Sequence, residues 1–356
     1  MTSVIIDFIR STACKKAVDP FAGKGDLLKH VSVLLEICDQ ENDGIPYGYD
    51  IDHALCRANV WGINDSLKHI PTHNNEWLCV TNPPYLSSHT AKAKKLVDSD
   101  CYFEDNPEES DLYMIGIKRC LETFDNVIGI IPETYLLSKK FQDRLVLVNI
   151  IEENPFDDTD FPVLVACWNK EATNDFKVYK NNELVGWWND LQKQIPTPRK
   201  SQIEIKFNQK AGKLGLIGID SSSETNKIRF CNASEIKAEI KVSSRNLTRI
   251  EITPMPKDLS HLINISNRIL EEMRIATQDV VLAAFKGNRK DGVRRRRLDF
   301  AIAKKIILKA LEKHGQDELD MLFHEHGGIV YNKAVRYKRL PTGCRTIRRA
   351  FHNYKF

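Results

Sequence analysis

The stretch Thr81-Asn82-Pro83-Pro84-Tyr85 follows directly on an apolar run, residues 77–80, that predicts a short buried strand. Two consecutive prolines have no backbone N–H and cannot continue the hydrogen-bond ladder of a sheet. The strand therefore ends in a rigid lip that carries an amide side chain, two carbonyls and an aromatic ring. In open α/β sheets, ligands bind at the carboxyl ends of the strands, so we expect this lip to be part of a binding site.

The lip has the chemistry to hold a flat molecule with an amino group. The Asn82 side-chain oxygen and the Pro83 carbonyl can both accept hydrogen bonds from one NH2 group, and Tyr85 can stack on the ring that carries it. Two acceptors draw the lone pair of a conjugated amine out of the ring plane, which helps the nitrogen attack an electrophile. The alternative is an ordinary proline turn in which Asn82 caps its own backbone.

A glycine turn precedes the lip by about sixty residues. A predicted strand ends at Val18, and the chain turns through residues 19–25 into a segment with apolar residues at helical spacing. Gly23 and Gly25 allow the backbone to turn tightly and to approach a ligand. Neither Ser nor Thr follows the lysine of this turn, so it is not a phosphate-binding P-loop. The acid at the strand end, Asp19, suits a ligand with a positive amino group.

Two more predicted strands end in acidic residues. Asp50 closes one of them about thirty residues after the turn, which is the length of one βαβ unit. An acid at that position can bind ribose hydroxyls, as in dinucleotide-binding folds. Asp65 follows the next predicted strand. A single acid at a strand end is most often a helix cap, but three in succession before the proline lip are harder to explain in that way.

These segments together resemble the S-adenosylmethionine-dependent amino-methyltransferases of DNA. Motifs I and II are resembled by residues 19–25 and 48–52, motif III by Asp65, and motif IV by residues 82–85. Motifs V and VI are resembled by residues 111–113 and 127–132, and motif VIII by Phe156 with residues 163–168. This order of motifs, with a long C-terminal extension, is that of the gamma-class N6-adenine methyltransferases of restriction–modification systems. The resemblance covers about residues 4–170, and residues 5–8 alone resemble motif X.

The resemblance implies that S-adenosylmethionine is the cofactor. Asp19 and the backbone at Phe21, Gly23 and Gly25 would bind the methionine part of this cofactor. Asp50 would bind both ribose hydroxyls, and Asp65 would bind the adenine amino group.

The resemblance also implies a flipped-out target adenine, because its N6 cannot be reached inside a duplex. Asn82 and the Pro83 carbonyl would bind N6, and Tyr85 would stack on the base. Phe156 would pack on the edge of the base, with Phe161 as the alternative. No strong base is needed because the sulfonium already activates the methyl group, so alignment supplies most of the rate.

The implied architecture is an α/β fold with two domains. Residues 1–190 would form a Rossmann-like methyltransferase domain, a mostly parallel seven-stranded sheet with helices on both faces. Residues 200–356 would form a basic α+β target-recognition domain. A proline-containing linker at residues 196–200 separates them.

Charge is distributed unequally along the chain. Of the 52 Lys and Arg residues, 33 lie in residues 197–356, against 17 of the 48 Asp and Glu residues. A basic arm on an acidic body is typical of proteins that bind polyanions. The apolar spacing in this half predicts helices over residues 259–285 and 298–313, with a mobile basic loop at 286–297 between them. The residues that we predict to contact DNA are Arg245, Arg249, Arg289, Lys290, Arg294, Arg295, Arg296 and Arg297.

Composition describes a soluble globular protein. The chain has 356 residues, of which 42% are hydrophobic and 28% charged, and no apolar run approaches the ~18 residues of a membrane span. Asp7 and Arg10 interrupt the N-terminal apolar segment, so it is not a signal peptide. The nine cysteines include no Cys-x-x-Cys pair, which favours reduced thiols in a cytoplasmic protein and argues against a metal site.

Two other functions remain open. The sequence Asn-Pro-Pro-Tyr also occurs in methyltransferases that act on the glutamine amide of release factors or on guanine N2 in ribosomal RNA. A DNA-binding protein with an inactive core is the second alternative, and the arginine run alone fits a nuclear-import signal or a solvated patch. The downstream motifs and the basic half favour double-stranded DNA as partner. The resemblance then implies a monomer that is paired in function with a restriction endonuclease.

Overall fold

The computed structural model describes residues 2–34, 47–59, 61–96, 99–153, 161–199, 202–223, 227–236 and 245–325. By its contacts, the chain forms two compact units. The first comprises residues 1–193 and 283–295, and the second comprises residues 194–282 and 296–356. A short segment from the basic half of the sequence therefore belongs with the first unit.

The first unit alternates strands and helices. Its helices are α1 (Ser3–Ser11), α2 (Asp26–Leu34), α3 (His53–Asn59), α4 (Ser88–Lys94), α5 (Asp100–Asp105), α6 (Leu112–Thr123) and α7 (Trp188–Lys193). Its strands up to residue 193 are β1 (Lys16–Val18), β2 (Tyr49–Asp50), β3 (Gly62–Ile63), β4 (Trp77–Thr81), β5 (Asn126–Pro132), β6 (Leu145–Ile151), β7 (Val163–Trp168), β8 (Lys177–Lys180) and β9 (Glu183–Trp187).

Seven of these strands form one sheet in the order β1-β4-β5-β7-β6-β8-β9. The pairs β1–β4, β4–β5 and β6–β8 are parallel, whereas β7 and β9 run antiparallel to their neighbours. Strands β2 and β3 form a short parallel sheet that a bridge between Asp19 and Gly48 connects to the end of β1. The predicted α/β fold with a mostly parallel seven-stranded sheet is confirmed.

Two of the inner strands of this sheet are completely buried. Every residue of β4 and β7 is buried, as expected for strands covered on both faces. Ile5 and Phe8 of α1 and Leu28 of α2 share a buried cluster with Leu78 and Val80 of β4. The proline lip follows directly on this buried strand, so the core holds it in place.

The second unit contains an antiparallel sheet and two long helices. The sheet has the order β10 (Glu204–Phe207), β13 (Leu247–Thr253), β11 (Leu214–Ile217), β12 (Arg229–Asn232). Helix α8 (Leu259–Thr277) lies against β12, where the Asn267 side chain bonds to both the N–H and the carbonyl of Phe230. Helix α9 (Phe300–Glu325) follows. This is the α+β arrangement that we predict for the basic half.

The structure corrects the prediction for residues 259–313. Helix α8 ends at Thr277 rather than at Phe285, because Gln278 and Asp279 adopt left-handed backbone angles, with φ of 46° and 68°. The predicted mobile loop is instead a hairpin of two strands, β14 (Ala283–Asn288) and β15 (Arg294–Arg297). The next helix begins at Phe300.

Nothing in the part of the chain that the structure describes combines helical length with enough apolar character to cross a membrane.

Candidate active site

Three of the predicted polar residues follow strands that end at one edge of the sheet. Asp19 comes directly after β1, Asp50 ends β2, and Asn82 comes directly after β4. Strands β1 and β4 are parallel, and the bridge from Asp19 to Gly48 is parallel too. Because parallel strands end on the same side, these side chains converge.

A cavity of about 280 Å³ lies at this edge. Its lining includes Phe21, Asp50, Asp65 and Asn82, all of which the sequence predicts as site residues. Tyr102 of α5 also lines it and was not predicted. The structure therefore brings three of the six predicted cofactor residues and the predicted catalytic amide to one cavity, whereas Asp19, Gly23 and Gly25 are not part of its lining.

Asp19 is the buried anchor of the glycine turn. It is 2% exposed, and its Oδ1 accepts hydrogen bonds from the Phe21 N–H at 2.9 Å and from the Thr81 hydroxyl at 2.8 Å. Burial raises the pKa of Asp19 to about 7, although these two hydrogen bonds oppose the shift and Asp50 adds to it. Thr81, which no motif singled out, thus connects the end of β4 to the end of β1.

Asp50 accepts hydrogen bonds from the backbone of the glycine turn and from the residue that follows β2 by two positions. Its Oδ2 accepts a hydrogen bond from the Gly23 N–H, and its Oδ1 accepts one from the Asp52 N–H, both at 2.9 Å. A carboxylate has about four acceptor positions, so Asp50 keeps the capacity to accept from a ligand.

Trp61 supports the glycine turn and was also missed by the sequence analysis. Its indole N–H donates to the Gly23 carbonyl at 3.0 Å. Gly25 has a φ of 78°, and a Cβ there would lie 2.7 Å from the Trp61 ring. A Cβ at Gly48 would lie 2.7 Å from the Ala22 Cβ and 2.8 Å from Trp61. At both positions glycine is needed for the close approach of the indole.

Asp65 has two partners on its Oδ2. The Tyr102 hydroxyl donates to it at 3.0 Å, and the Lys68 ammonium lies 3.4 Å away. Tyr102 lies in α5, between the lip and α6. No sequence signal marks this tyrosine, because its contact joins residues 37 positions apart.

The proline lip is tightly packed. Pro83 is buried, and a Cβ at Gly116 of α6 would lie 3.0 Å from it. The Tyr85 hydroxyl lies 2.6 Å from Asn82 Oδ1 and 2.8 Å from the Ile130 carbonyl. Burial raises the pKa of Tyr85 well above its usual range, so the phenol stays protonated. Tyr85 is therefore bonded to the amide that we predict to be catalytic, a contact that the sequence did not predict.

A second cavity, of about 510 Å³, lies on the Tyr85 side of the lip. Four aromatic residues share its lining, Tyr85, Tyr113, Phe161 and Phe285. The Tyr85 ring meets those of Tyr113 and Phe161 edge to face, each at 6.3 Å between centroids. Because Asn82 lines the first cavity and Tyr85 the second, the lip separates an acidic cavity from an aromatic one.

Of the two candidates for the base-packing aromatic residue, the structure describes one. Phe156 lies outside the described residues. Phe161, the alternative, precedes β7 and is 38% exposed. Phe161 lines the second cavity, and the packing of either phenylalanine on a base stays a prediction.

The predicted DNA-binding residues divide into several groups. Arg294 and Arg296 are 2% and 1% exposed, which contradicts the prediction that the whole arginine run forms a mobile surface. They are buried because alternate side chains of strand β15 point inward. Arg249 donates from Nε to the Ile236 carbonyl at 3.0 Å and from Nη1 to the Lys210 carbonyl at 3.3 Å. Arg295 is half-buried, with its guanidinium 5.0 Å from the Phe285 ring.

The remaining predicted cations are on the surface or in a cavity. Arg289 forms an ion pair with Asp291 in the hairpin turn, and Lys290 is exposed. Arg245 is exposed and shares with Arg297 the lining of a cavity of about 460 Å³ in the second unit. The DNA contacts of all these residues stay predictions.

No protein-family model matches the chain, and none of the curated proteins matches it. The fold is similar to three solved structures of restriction–modification proteins. A modification subunit from Vibrio vulnificus YJ016 has 12% sequence identity, over 56% of this chain and 46% of its own, with a TM-score of 0.37. The type I restriction-modification system methyltransferase subunit from Streptococcus thermophilus has 14% identity, over 55% and 46%, with a TM-score of 0.34.

The third is the M protein of the type I restriction enzyme EcoKI, with 12% identity over 91% of this chain and 71% of its own, and a TM-score of 0.33. This chain thus spans less than half the length of the first two proteins. Likeness at this level carries no inference about substrate, which has to come from the geometry of the two cavities.

Proposed function

We propose that this chain is an S-adenosylmethionine-dependent methyltransferase that acts on the exocyclic amino group of a nucleobase, N6 of adenine in duplex DNA. The observation that carries the proposal is the position of Asn82. It follows β4 at the boundary between a cavity lined by carboxylates and a cavity lined by aromatic rings. Methyl transfer requires the methyl donor and the acceptor nitrogen to be held in line. Because the lip contributes to both cavities, it can align a donor in the first cavity with an acceptor in the second.

The first cavity fits S-adenosylmethionine in charge and in hydrogen-bonding groups. The cofactor is cationic and carries two ribose hydroxyls, and the residues present offer carboxylates to both. When bound, it supplies a methyl group that its positive sulfur activates. Asp19 and the turn at Phe21, Gly23 and Gly25 would hold its methionine part, Asp50 its ribose and Asp65 its adenine amino group.

The lip aligns the acceptor nitrogen. Asn82 Oδ1 and the Pro83 carbonyl accept the two hydrogens of the amino group and draw its lone pair towards the first cavity. As the nitrogen gains the methyl group it becomes acidic, and its extra proton leaves to solvent. The site therefore needs no strong base.

Tyr85 orients the amide of Asn82. A phenol has one hydrogen, and both of its neighbours, Asn82 Oδ1 and the Ile130 carbonyl, are acceptors. If the Asn82 amide is turned over, its Nδ2 donates to Tyr85 and Tyr85 donates to Ile130, which satisfies all three groups. Asn82 Oδ1 then faces the substrate amino group.

The second cavity accepts the base. Extruding a base costs a few kcal/mol, and stacking on one aromatic side chain recovers about 1–3 kcal/mol. Tyr85 and Phe161 together therefore offset the cost of extrusion. The partner of the chain is then double-stranded DNA, bound by a monomer, with a restriction endonuclease as the functional counterpart.

The test is transfer of a labelled methyl group from S-adenosylmethionine to a mixture of unmethylated DNA, RNA and protein, followed by nucleoside analysis. We expect label in N6-methyladenine of DNA. Label in N4-methylcytosine would keep the mechanism and change the base. Label in RNA or in a glutamine amide would overturn the DNA assignment, and a chain that binds the cofactor without transferring its methyl group to any pool would point to an inactive core.

A further inference from the structure

The hairpin β14–β15 supplies one wall of the second cavity. Ala284, Phe285 and Lys286 line it together with Tyr85 and Phe161. These hairpin residues lie nearly 100 positions after Trp187, where the last strand of the seven-stranded sheet ends, yet they belong to the first unit by their contacts. The aromatic cavity is therefore completed by a segment that no methyltransferase motif includes.

The hairpin is fixed to the sheet of the first unit. The buried guanidinium of Arg294 donates to the carbonyl of Ile151, at the end of β6, at 3.2 Å and to that of Glu152 at 2.7 Å. Arg295 holds the two strands together, with its guanidinium over the Phe285 ring and a bond of 3.5 Å to the Lys286 carbonyl. These contacts set the position of Phe285 and Lys286 at the cavity.

Lys286 places a positive charge beside an aromatic wall. Its ammonium lies 4.3 Å from the centroid of the Phe161 ring, in a cation–π contact, and its side chain is exposed. Lys94 of α4 also lines this cavity, and Asp111 is the acidic residue in the lining. The walls thus combine four rings with two ammonium groups.

This combination selects a class of substrate. A base is flat and needs aromatic faces, and the phosphates on either side of it need cations. The side chain of a glutamine is small and neutral and would use neither feature. Resting on the proposed function, we propose that the hairpin forms part of the DNA site. Phe285 completes the aromatic wall that receives the base together with Tyr85 and Phe161, and Lys286 binds a phosphate adjacent to that base.

The test compares salt dependence of binding for three variants, with duplex DNA that the wild-type chain methylates. Lys286→Met removes the charge and keeps the length of the side chain, and Lys286→Arg keeps the charge. Lys177→Met is the matched control, because Lys177 also lies over a ring of the first unit, that of Trp187 at 5.5 Å, without lining the second cavity. Affinity is measured by fluorescence anisotropy from about 50 to 200 mM salt.

Loss of one phosphate contact should make the slope of log affinity against log salt shallower by roughly 0.7–0.9 in Lys286→Met. We expect the wild-type slope in Lys286→Arg and in Lys177→Met. An unchanged slope in Lys286→Met, with DNA methylation by the wild type intact, overturns this inference and leaves the proposed function standing. An equal change in Lys177→Met overturns it too, since the effect would then be one of net charge. A wild-type chain that methylates no DNA overturns both.

Discussion

At the scale of single residues, the candidate site depends on three short contacts. Asp19 accepts from Thr81, Asp50 accepts from Gly23, and Tyr85 lies against Asn82. Each contact fixes one side chain that the proposed reaction uses.

Asn82→Ala removes one of the two acceptors for the amino group while leaving the first cavity open. We expect methyl transfer to fall at least a hundredfold, because alignment of the nitrogen supplies most of the rate, and cofactor affinity to change by less than threefold. Transfer is followed with labelled cofactor and affinity by calorimetry. Near-full turnover in Asn82→Ala would falsify the role of this residue.

Tyr85→Phe keeps the ring and loses only the hydroxyl that contacts Asn82 and Ile130. A hydrogen bond of this kind contributes about 0.5–1.5 kcal/mol, so kcat should fall by up to about tenfold. KM for DNA should stay close to the wild-type value, since stacking is retained. Tyr85→Leu is the comparison, with both kcat and KM affected. If Tyr85→Phe changes KM alone, the hydroxyl does not orient the amide.

Asp19→Asn tests the buried carboxylate. Its pKa rises from an ordinary 3.8 in the unfolded chain to about 7 in the folded one, so the folded state holds the proton more tightly. The free energy of unfolding must then decrease as pH rises from 3.8 to 7, and the full penalty applies above pH 7. Asparagine is neutral at every pH and escapes this penalty.

We therefore expect the Tm advantage of Asp19→Asn over the wild type to grow by a few degrees between pH 5 and pH 8. Cofactor binding should weaken in the same variant, because its amide lacks the negative charge. The measurement is thermal unfolding at the two pH values. A Tm difference that is independent of pH would mean that Asp19 is ionised in the folded chain at both.

At the scale of elements, the turn after β1 and the residue before β2 both pack against the Trp61 ring, at Gly25 and Gly48. Gly48→Ala places a Cβ 2.7 Å from the Ala22 Cβ and 2.8 Å from Trp61. Overpacking of this kind costs about 1–3 kcal/mol, and it should also weaken cofactor binding by displacing the turn. Gly23→Asn is the control, since among the described residues no heavy atom lies within 4 Å of that Cβ, and asparagine tolerates a positive φ.

Thermal unfolding and cofactor titration distinguish the two glycine variants. Gly48→Ala should lower both Tm and affinity, whereas Gly23→Asn should change Tm little. Equal Tm values for Gly48→Ala and the wild type would show that the indole moves aside without cost.

At the scale of the whole molecule, the two cavities depend on different parts of the chain. The hydrogen bonds and packing described for the first cavity join residues between Asp19 and Tyr102. The second cavity needs the hairpin at residues 283–297 as well. A chain cut after residue 199 should therefore keep cofactor binding within a few-fold of the wild type and lose methyl transfer.

Calorimetry with S-adenosylhomocysteine and the labelled transfer assay measure the two properties of the shortened chain. Methylation of DNA by residues 1–199 at the full rate would show that the hairpin is dispensable. Loss of cofactor binding, with the fold intact by circular dichroism, would show that the first cavity depends on residues after 199.

The sequence by itself determined the chemistry of the strand ends at the first cavity. The sequence predicted Asp50, Asp65 and Asn82, which line this cavity, and also the buried Asp19, because each lies at a strand end that the apolar pattern marks locally. The lip was predicted as rigid for the same local reason, its two prolines.

Only the tertiary structure decided what lies around these residues. Thr81 reaches Asp19 across 62 positions, and Arg294 reaches Ile151 across 143. Such contacts leave no periodic signal in the sequence. A run of four arginines has the same composition whether it is solvated or buried. Strand β15 buries two of them because its alternate side chains point inward, and the guanidinium of Arg294 finds carbonyl partners there. For that reason the hairpin was predicted as a basic surface loop and is instead a wall of the aromatic cavity.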